Sequence, residues 1–143
     1  MKEKQIRGLI ENYQKHKEQL DKLNDKLNNL LGYDTNVTAS YGFNTHGGKG
    51  TVSSKVERHI IKILETEDKI IEFEEKLYIV DYAEKVLNSK EKEVIELIKS
   101  GKYDKLTQIA KVLGQNKKYI YDTRDRAVKK MADYMSNTYE NQF

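Results

Sequence analysis

The chain has 143 residues with no Cys, Pro or Trp, and its 26 Lys and Arg residues stand against 23 Asp and Glu. The length suits one domain or two small helical units and excludes a multidomain enzyme. The lack of Cys excludes disulfides, zinc fingers and a thiol nucleophile. No apolar run reaches the roughly 20 residues of a membrane span. The start of the chain also lacks the apolar stretch of a signal peptide, so we expect a cytoplasmic protein without membrane contact.

The sequence begins with a pattern typical of a coiled coil. Apolar or aromatic residues recur at the a and d positions of four successive heptads, and only His16 interrupts them. These positions are Ile6, Leu9, Tyr13, Leu20, Leu23, Leu27 and Leu30. Because the other positions are nearly all charged or amide residues, the pattern predicts one continuous helix, about 40 Å long.

A glycine-rich segment follows at residues 32–50, which contain five of the eight glycines. The segment has neither a helical nor a strand period and is rich in turn-forming residues. It is too long for a tight turn, so we expect either a linker or a functional loop.

A second helix is predicted after this segment. Ser53 or Ser54 is a candidate N-cap, and Glu57 stands at the capping-box position after Ser54. Its apolar stripe reads Val56, Ile60, Ile63, Ile70, Phe73, Leu77 and Val80, and it is widened by Ile61, Leu64, Ile71 and Tyr78. The pattern of residues 1–86 therefore predicts an antiparallel, coiled-coil-like helical hairpin. We expect this hairpin to serve oligomerisation or contact with polymerase. Its excess apolar surface is expected to contact either the C-terminal unit or another copy of the chain.

The charge distribution supports a second unit at residues 87–143. Residues 51–86 contain six basic and nine acidic residues, whereas residues 87–143 contain twelve basic and eight acidic residues. Three helices are predicted in this unit from local signals. The first is capped by Asn88 and Glu91 and ends at Gly101, the second follows Asp104 and ends at Gly114, and the third is capped by Asn116.

The second and third of these helices predict a helix-turn-helix. Ala110 is small enough for close helix crossing, and Gly114 suits the tight turn. The inward positions are Val94, Ile95, Ile98, Leu106, Ile109, Ala110, Leu113, Ile120, Thr123, Ala127, Val128 and Met131. The outward face of the third helix carries Lys117, Lys118, Tyr121, Asp122, Arg124, Asp125 and Lys129 as candidate DNA-binding residues. Such a helix would enter the major groove with its first turns at base edges, while lysines neutralise phosphates.

The stretch LGQNKKYIYDTRDRAVKKM resembles region four of bacterial sigma factors without a gap. The resemblance implies that Lys117, Lys118, Tyr121 and Asp122 read a promoter element. Lys118 and Asp122 stand where that family usually has Glu and Gln, so we expect a different DNA sequence preference.

The layout of the whole chain is similar to that of phage late-transcription regulators of RinA/ArpU type. The resemblance implies an all-α fold, with the hairpin followed by a sigma-like helix-turn-helix. It also implies a transcription regulator of phage or mobile-element genes in a bacterial cell, with activation as the expected effect. Expected partners are double-stranded DNA, bacterial RNA polymerase and a second copy of the chain in a homodimer.

Two other functions remain open. A small terminase subunit also combines a helix-turn-helix with oligomerisation helices, and an adaptor could bind polymerase or sigma factor without binding DNA. An enzyme is not expected, because no catalytic constellation is present, and neither is a cofactor. The histidines are His16, His46 and His59. Two of them lie at stripe positions of opposite helices and are interpreted as paired polar residues of a coiled-coil seam rather than metal ligands. The segment GGKGT lacks the spacing of a phosphate-binding loop.

Overall fold

The computed structural model describes the backbone of residues 1–41 and 49–139, and the side chains of residues 1–32 and 54–138. Over these ranges the protein consists of helices and short connections and has no strand, which confirms the all-α prediction. Within them, every helix is too short or too polar to cross a membrane.

Six α-helices follow one another along the described chain. Their bounds are α1 Glu3–Glu11, α2 Tyr13–Tyr41, α3 Lys49–Ala83, α4 Ser89–Lys99, α5 Leu106–Leu113 and α6 Lys117–Tyr134. A 3-10 turn at Glu84–Val86 follows α3, and a π-helical turn at Met135–Tyr139 follows α6.

The N-terminal helix is not continuous, contrary to prediction. Asn12 has φ −100° and ψ 9°, which ends α1 before α2 begins at Tyr13. The Asn12 side-chain amide donates to the carbonyl of Gly8 at 2.9 Å, so the side chain competes with the helical backbone. Asparagine favours helix ends for this reason, and the heptad pattern does not register it.

The helices around the glycine-rich segment are longer than predicted. Helix α2 continues through Gly32 to Tyr41, and α3 begins at Lys49, so only 42–48 of the predicted loop 32–50 lie outside the described residues. Ser53 and Ser54 are inside α3 and do not cap it. Extending an existing helix is far easier than nucleating one, and this chain has no proline to stop it. The loop prediction was therefore too wide and the serine cap was wrong.

Helices α4 to α6 begin and end largely as predicted. Asn88 Oδ1 accepts from the Glu91 backbone at 2.9 Å, and Glu91 Oε1 accepts from the Asn88 backbone at 2.9 Å. The predicted Asp104 cap is wrong, because α5 starts at Leu106 with Lys105 as N-cap. There the Gln108 side chain accepts from the Asp104 backbone N–H at 2.9 Å, which satisfies that donor from inside the helix.

The chain forms two compact units. Unit 1 combines Met1–Lys17 with Glu75–Phe143, and unit 2 is Glu18–Glu74. These units do not coincide with a boundary at residue 86, because α1 packs against α6 and α4. Hydrophobic spacing shows that α1 has an apolar face but not which helix will cover it.

The larger core of unit 1 lies where α1 meets the second half of α6. It contains Ile6, Ile10, Ile79, Val80, Ala83, Leu87, Ile95, Ala127, Val128, Met131, Ala132 and Met135. Because α4 and α5 also contact α6, this helix is surrounded over most of its inward surface. All five predicted inward residues of α6 are buried, which confirms that part of the pattern.

A smaller core lies at the start of α6. Val94 of α4, Ile109 and Ala110 of α5, and Ile120 of α6 form it, and Tyr119 packs against its edge. This contact gives Tyr119 a packing role. The cluster fixes α5 against the first two turns of α6.

Candidate nucleic-acid interface

The start of α6 is fixed by the turn that precedes it. Gly114 adopts the left-handed conformation, with φ 65° and ψ 29°, and ends α5. The backbone N–H of Gln115 donates to the carbonyl of Ala110 at 3.0 Å. Asn116 Oδ1 then accepts from the Tyr119 N–H at 2.7 Å and caps α6. Glycine adopts a positive φ without steric strain, so the sequence permits a tight connection here.

Most of the predicted binding residues of α6 lie away from its buried positions, whereas Arg124 borders the buried face, four residues from Ile120 and from Val128. Five of them are exposed: Lys117, Lys118, Asp122, Asp125 and Lys129. Tyr121 and Arg124 are half-buried. The structure therefore places the seven side chains along one surface, as their helical spacing predicts.

Tyr121 holds the cationic side chains on either side of it. Lys117 Nζ lies 5.5 Å from the centre of the Tyr121 ring, and Arg124 Cζ lies 5.2 Å from it. Both distances permit a cation–π interaction. Tyr121 thus orders part of this face as well as being a candidate contact.

Arg124 is also engaged by its neighbour in sequence. Its Nη2 lies 2.8 Å from Asp125 Oδ1, and its Nε donates to the same oxygen at 3.0 Å. This bidentate pair neutralises both charges locally. By contrast, Lys118, Asp122 and Lys129 make no hydrogen bond or ion pair with any described residue. These three are the side chains most available to an external ligand.

Two further basic residues of α6 pair with a buried acid of α4 instead. Lys130 Nζ lies 2.9 Å from Glu91 Oε1, and Arg126 Nε lies 3.4 Å from Glu91 Oε2. The basic excess of residues 115–130 therefore overstates the charge that the outward face presents. Sequence reasoning identified Glu91 as a capping residue but missed its contact with α6, which no local pattern encodes.

Glu91 is fully buried, and its carboxyl group contacts two cations. Burial raises the pKa of Glu91. The hydrogen bond from the Asn88 backbone N–H and the cations Lys130 and Arg126 lower it by a larger amount, so the net pKa is below the usual value. A carboxylate held in this way connects the start of α4 to the middle of α6. The orientation of the outward face therefore depends on a residue behind it.

A second ionic cluster surrounds the buried Lys99 at the end of α4. Lys99 Nζ lies 2.7 Å from Glu84, 3.2 Å from Glu96 and 3.3 Å from Asp81. It also lies 4.3 Å from the centre of the Tyr13 ring. Sequence analysis did not find this cluster, because its members are far apart along the chain.

Glu84 and Lys99 of this cluster have shifted pKa values. Burial raises the pKa of Glu84 to about 7, with the nearby Glu96 carboxylate adding to this effect and Lys99 opposing it. Burial lowers the pKa of Lys99, but the hydrogen bond and charge of Glu84 outweigh this effect and raise it overall. The cluster joins α2, α4 and the end of α3, and it shares no residue with the outward face of α6.

A pocket of about 110 Å³ lies beside the start of α6 and is lined by Lys90, Glu93, Val94, Leu113, Gln115 and Tyr119. Sites for organic ligands usually have several hundred Å³. This pocket suits a few water molecules at most.

The histidines behave as side chains of helix seams where they are described. His59 Nε2 lies 2.8 Å from the Leu30 carbonyl oxygen, a contact within unit 2. His16 is half-buried, and burial lowers its pKa. His46 lies outside the described residues. Within those residues, no group of three His, Asp or Glu could hold a metal ion.

The chain was compared with models of protein families, with curated proteins and with solved structures, and none of them matches.

Proposed function

We propose that this protein is a sequence-specific DNA-binding transcription regulator of phage or mobile-element genes, acting in the cytoplasm of a bacterium. The observation that carries the proposal is the outward face of α6. Its exposed cations and polar side chains form one surface, and the opposite face of the same helix is buried. In this proposal α5, the turn at Gly114 and α6 form a helix-turn-helix.

The packing of α6 supports insertion into a DNA groove. Helices α1, α4 and α5 contact α6, so it is held as a rigid element rather than as an isolated helix. Its first turns carry Lys117, Lys118 and Asp122, which are exposed at the position where recognition helices present side chains to base edges. Lysines would contact phosphate or guanine, and Asp122 would accept from cytosine.

The engaged residues refine the roles that the sequence suggested. Arg124 and Asp125 neutralise each other in the free protein, so Arg124 becomes available to DNA only if that pair opens. Lys118 and Lys129 are available without such a change. We therefore propose that Lys117, Lys118 and Lys129 provide most of the salt-dependent affinity, with Tyr121 and Asp122 adding selectivity.

Footprinting on the promoters that neighbour the gene would test this function. Specific binders of this kind hold their sites at about 100 mM salt, so a protected site is expected there. The double variant Lys117→Glu, Lys118→Glu should lose protection while keeping its helicity. The matched control is Lys22→Glu, Lys26→Glu on α2, which should bind as the unmodified chain does. A chain that protects no site would refute the proposal.

An adaptor that binds polymerase or sigma factor remains the second candidate function. It is favoured by one observation, the exposed apolar residues of α3. Pull-down with RNA polymerase alongside a DNA shift assay separates the two functions. A small terminase subunit would instead form a large ring, which light scattering would detect, whereas the regulator is proposed to act as a dimer.

A further inference from the structure

Helix α3 has two apolar faces, and only one of them is covered. On the first face His59, Thr66 and Ile70 are buried, and His59 contacts the carbonyl of Leu30 in α2. The second face has four large aliphatic side chains that remain about half exposed. They are Ile60 at 46%, Ile61 at 51%, Leu64 at 54% and Ile71 at 61%.

The exposed side chains form a single stripe, which we call the outer stripe of α3. Ile60 and Ile61 precede Leu64 by four and three residues, and Ile71 follows Leu64 by seven, so all four lie on one side of the helix. A row with this spacing is the seam that a second helix packs against. Isolated exposed apolar residues are common, but several large ones grouped on one side of a helix mark an interaction surface.

The acidic and basic residues around the outer stripe occupy different positions on the helix surface. Acidic residues border it on both sides, with Glu65 and Glu72 along one edge and Glu67 and Glu74 along the other. Asp68 lies on the stripe itself between Leu64 and Ile71. The basic residues of the same stretch, Arg58, Lys62 and Lys69, fall outside this border by helical spacing.

This arrangement disfavours a second copy of the chain as the occupant. Two outer stripes packed together would place acidic edges against acidic edges in the parallel and in the antiparallel orientation, because both edges carry the same sign. Like charges at these flanking positions oppose helix pairing, whereas opposite charges select the partner. An anionic membrane surface is disfavoured for the same reason.

We propose that the outer stripe of α3 binds an amphipathic helix of a partner protein, with aliphatic residues on its inner face and Lys or Arg on both borders. The bound length is set by residues 60–74, about 20 Å or four helical turns. The proposal does not depend on DNA binding, because no residue of the α6 face takes part in it.

Binding of designed peptides to the full chain would test the proposal. The probe is a labelled helical peptide of about 21 residues, with Leu at its a and d positions and Lys at its e and g positions. A second peptide replaces these Lys residues with Glu. Fluorescence anisotropy should show binding of the basic peptide, weakened by added salt, and no binding of the acidic one.

Two sets of variants locate the site. Ile61→Gln with Leu64→Gln should weaken binding of the basic peptide by about tenfold or more. The control Val112→Gln, at an exposed aliphatic residue of α5, should leave it unchanged. Glu65→Lys, Glu67→Lys and Glu74→Lys together should reverse the preference, so that the acidic peptide binds instead. The control Glu11→Lys with Glu93→Lys adds positive charge elsewhere and should not reverse the preference between the two peptides.

Several results would overturn the proposal. Equal binding of both peptides would show that charge does not select the occupant. Binding that survives the glutamine variants would place the site elsewhere. If the chain is a dimer and these variants dissociate it, the occupant of the outer stripe is a second copy of the chain. If the chain sediments with anionic phosphatidylglycerol vesicles and this depends on Leu64, the occupant is a membrane surface. A DNA shift assay on the same variants distinguishes loss of this surface from failure of the proposed regulator function.

Discussion

Lys130 of α6 reaches Glu91 of α4, with its Nζ 2.9 Å from a carboxylate oxygen of a fully buried side chain. The same carboxylate caps α4 by accepting from the Asn88 backbone N–H at 2.9 Å. One side chain thus stabilises a helix start and fixes the distance between two helices.

Replacing Glu91 with Ala is expected to lower the free energy of unfolding by about 1–3 kcal/mol, from the lost cap and the lost charged hydrogen bond. Urea unfolding measures this change. The control Glu93→Ala, at an exposed residue of the same helix, should have little effect. Because the folded pKa of Glu91 is below the unfolded value, its contribution is present above that value and is lost as the pH falls. A loss of stability that is the same at pH ~3 and pH ~7 would contradict this account.

The raised pKa of Glu84 predicts that its contribution to stability has the opposite dependence on pH. Its pKa in the folded protein is about 7, above the value of about 4.3 in an unfolded chain. The folded state therefore binds this proton more tightly, and the contribution of Glu84 to stability falls as the pH rises between these values. Unfolding of Glu84→Gln across this range should show a weaker decline than the unmodified chain. Glu11→Gln, at an exposed residue, is the control, and identical pH profiles for both variants would contradict the prediction.

Three glycines should respond differently to replacement with Ala. Gly114 has φ 65° and open space around its Cβ position, so the substitution should cost only the backbone strain of about 1–2 kcal/mol. Gly101 has φ 69°, and the Cβ of an alanine there would lie 3.1 Å from Gln14 Cβ, so Gly101→Ala should lower the stability by more. Gly8 lies in α1 with nothing near its Cβ position, so Gly8→Ala should stabilise by roughly 0.5–1 kcal/mol. Thermal unfolding checks the order, and a destabilising Gly8→Ala would contradict it.

Thr123 is a buried residue of α6 whose hydroxyl has no hydrogen-bond partner among the described residues. Burying a hydroxyl without a partner is unfavourable, and Val has nearly the same shape. Thr123→Val is therefore expected to stabilise the protein by about 1 kcal/mol. Thr123→Ala serves as the comparison, because it removes the hydroxyl and the methyl group together. A destabilised Val variant would indicate that the hydroxyl is satisfied in solution.

If α6 binds DNA as proposed, Asp125→Asn should strengthen binding. The change removes a negative charge from the outward face and releases Arg124, which Asp125 holds at 2.8 Å. We expect an affinity increase of about threefold or more, with a steeper dependence on salt. Asp133→Asn removes an equal charge from an exposed position near the end of α6 and should change little. Equal effects of the two variants would mean that only net charge matters.

The sequence predicted local structure well where a single residue type carries the signal. The caps at Asn88 and Asn116 and the left-handed glycines at 101 and 114 are confirmed. These features depend on the chemistry of one residue and its neighbours. The buried face of α6 was predicted for a similar reason, because helical spacing alone defines it.

The sequence did not predict what depends on distant partners. Lys99 is buried because Asp81, Glu84 and Glu96 surround it, and none of these has a pattern that marks it. The cluster could be recognised only after the helices were placed. Similarly, Ile6 fits the heptad pattern of the N-terminal helix and Ile10 lies outside it, and the place of both in the core of unit 1 could not be read from that pattern.

The position of α1 makes the candidate DNA-reading unit discontinuous along the chain. A fragment starting at residue 87 would contain every residue of the proposed helix-turn-helix. It would nevertheless lack Ile6 and Ile10, and Ala127, Val128 and Met131 would lose that part of their packing. The minimal folded reader is thus assembled from both ends of the sequence, with residues 18–74 as an insertion between its parts. Any truncation intended to isolate it must keep the first helix.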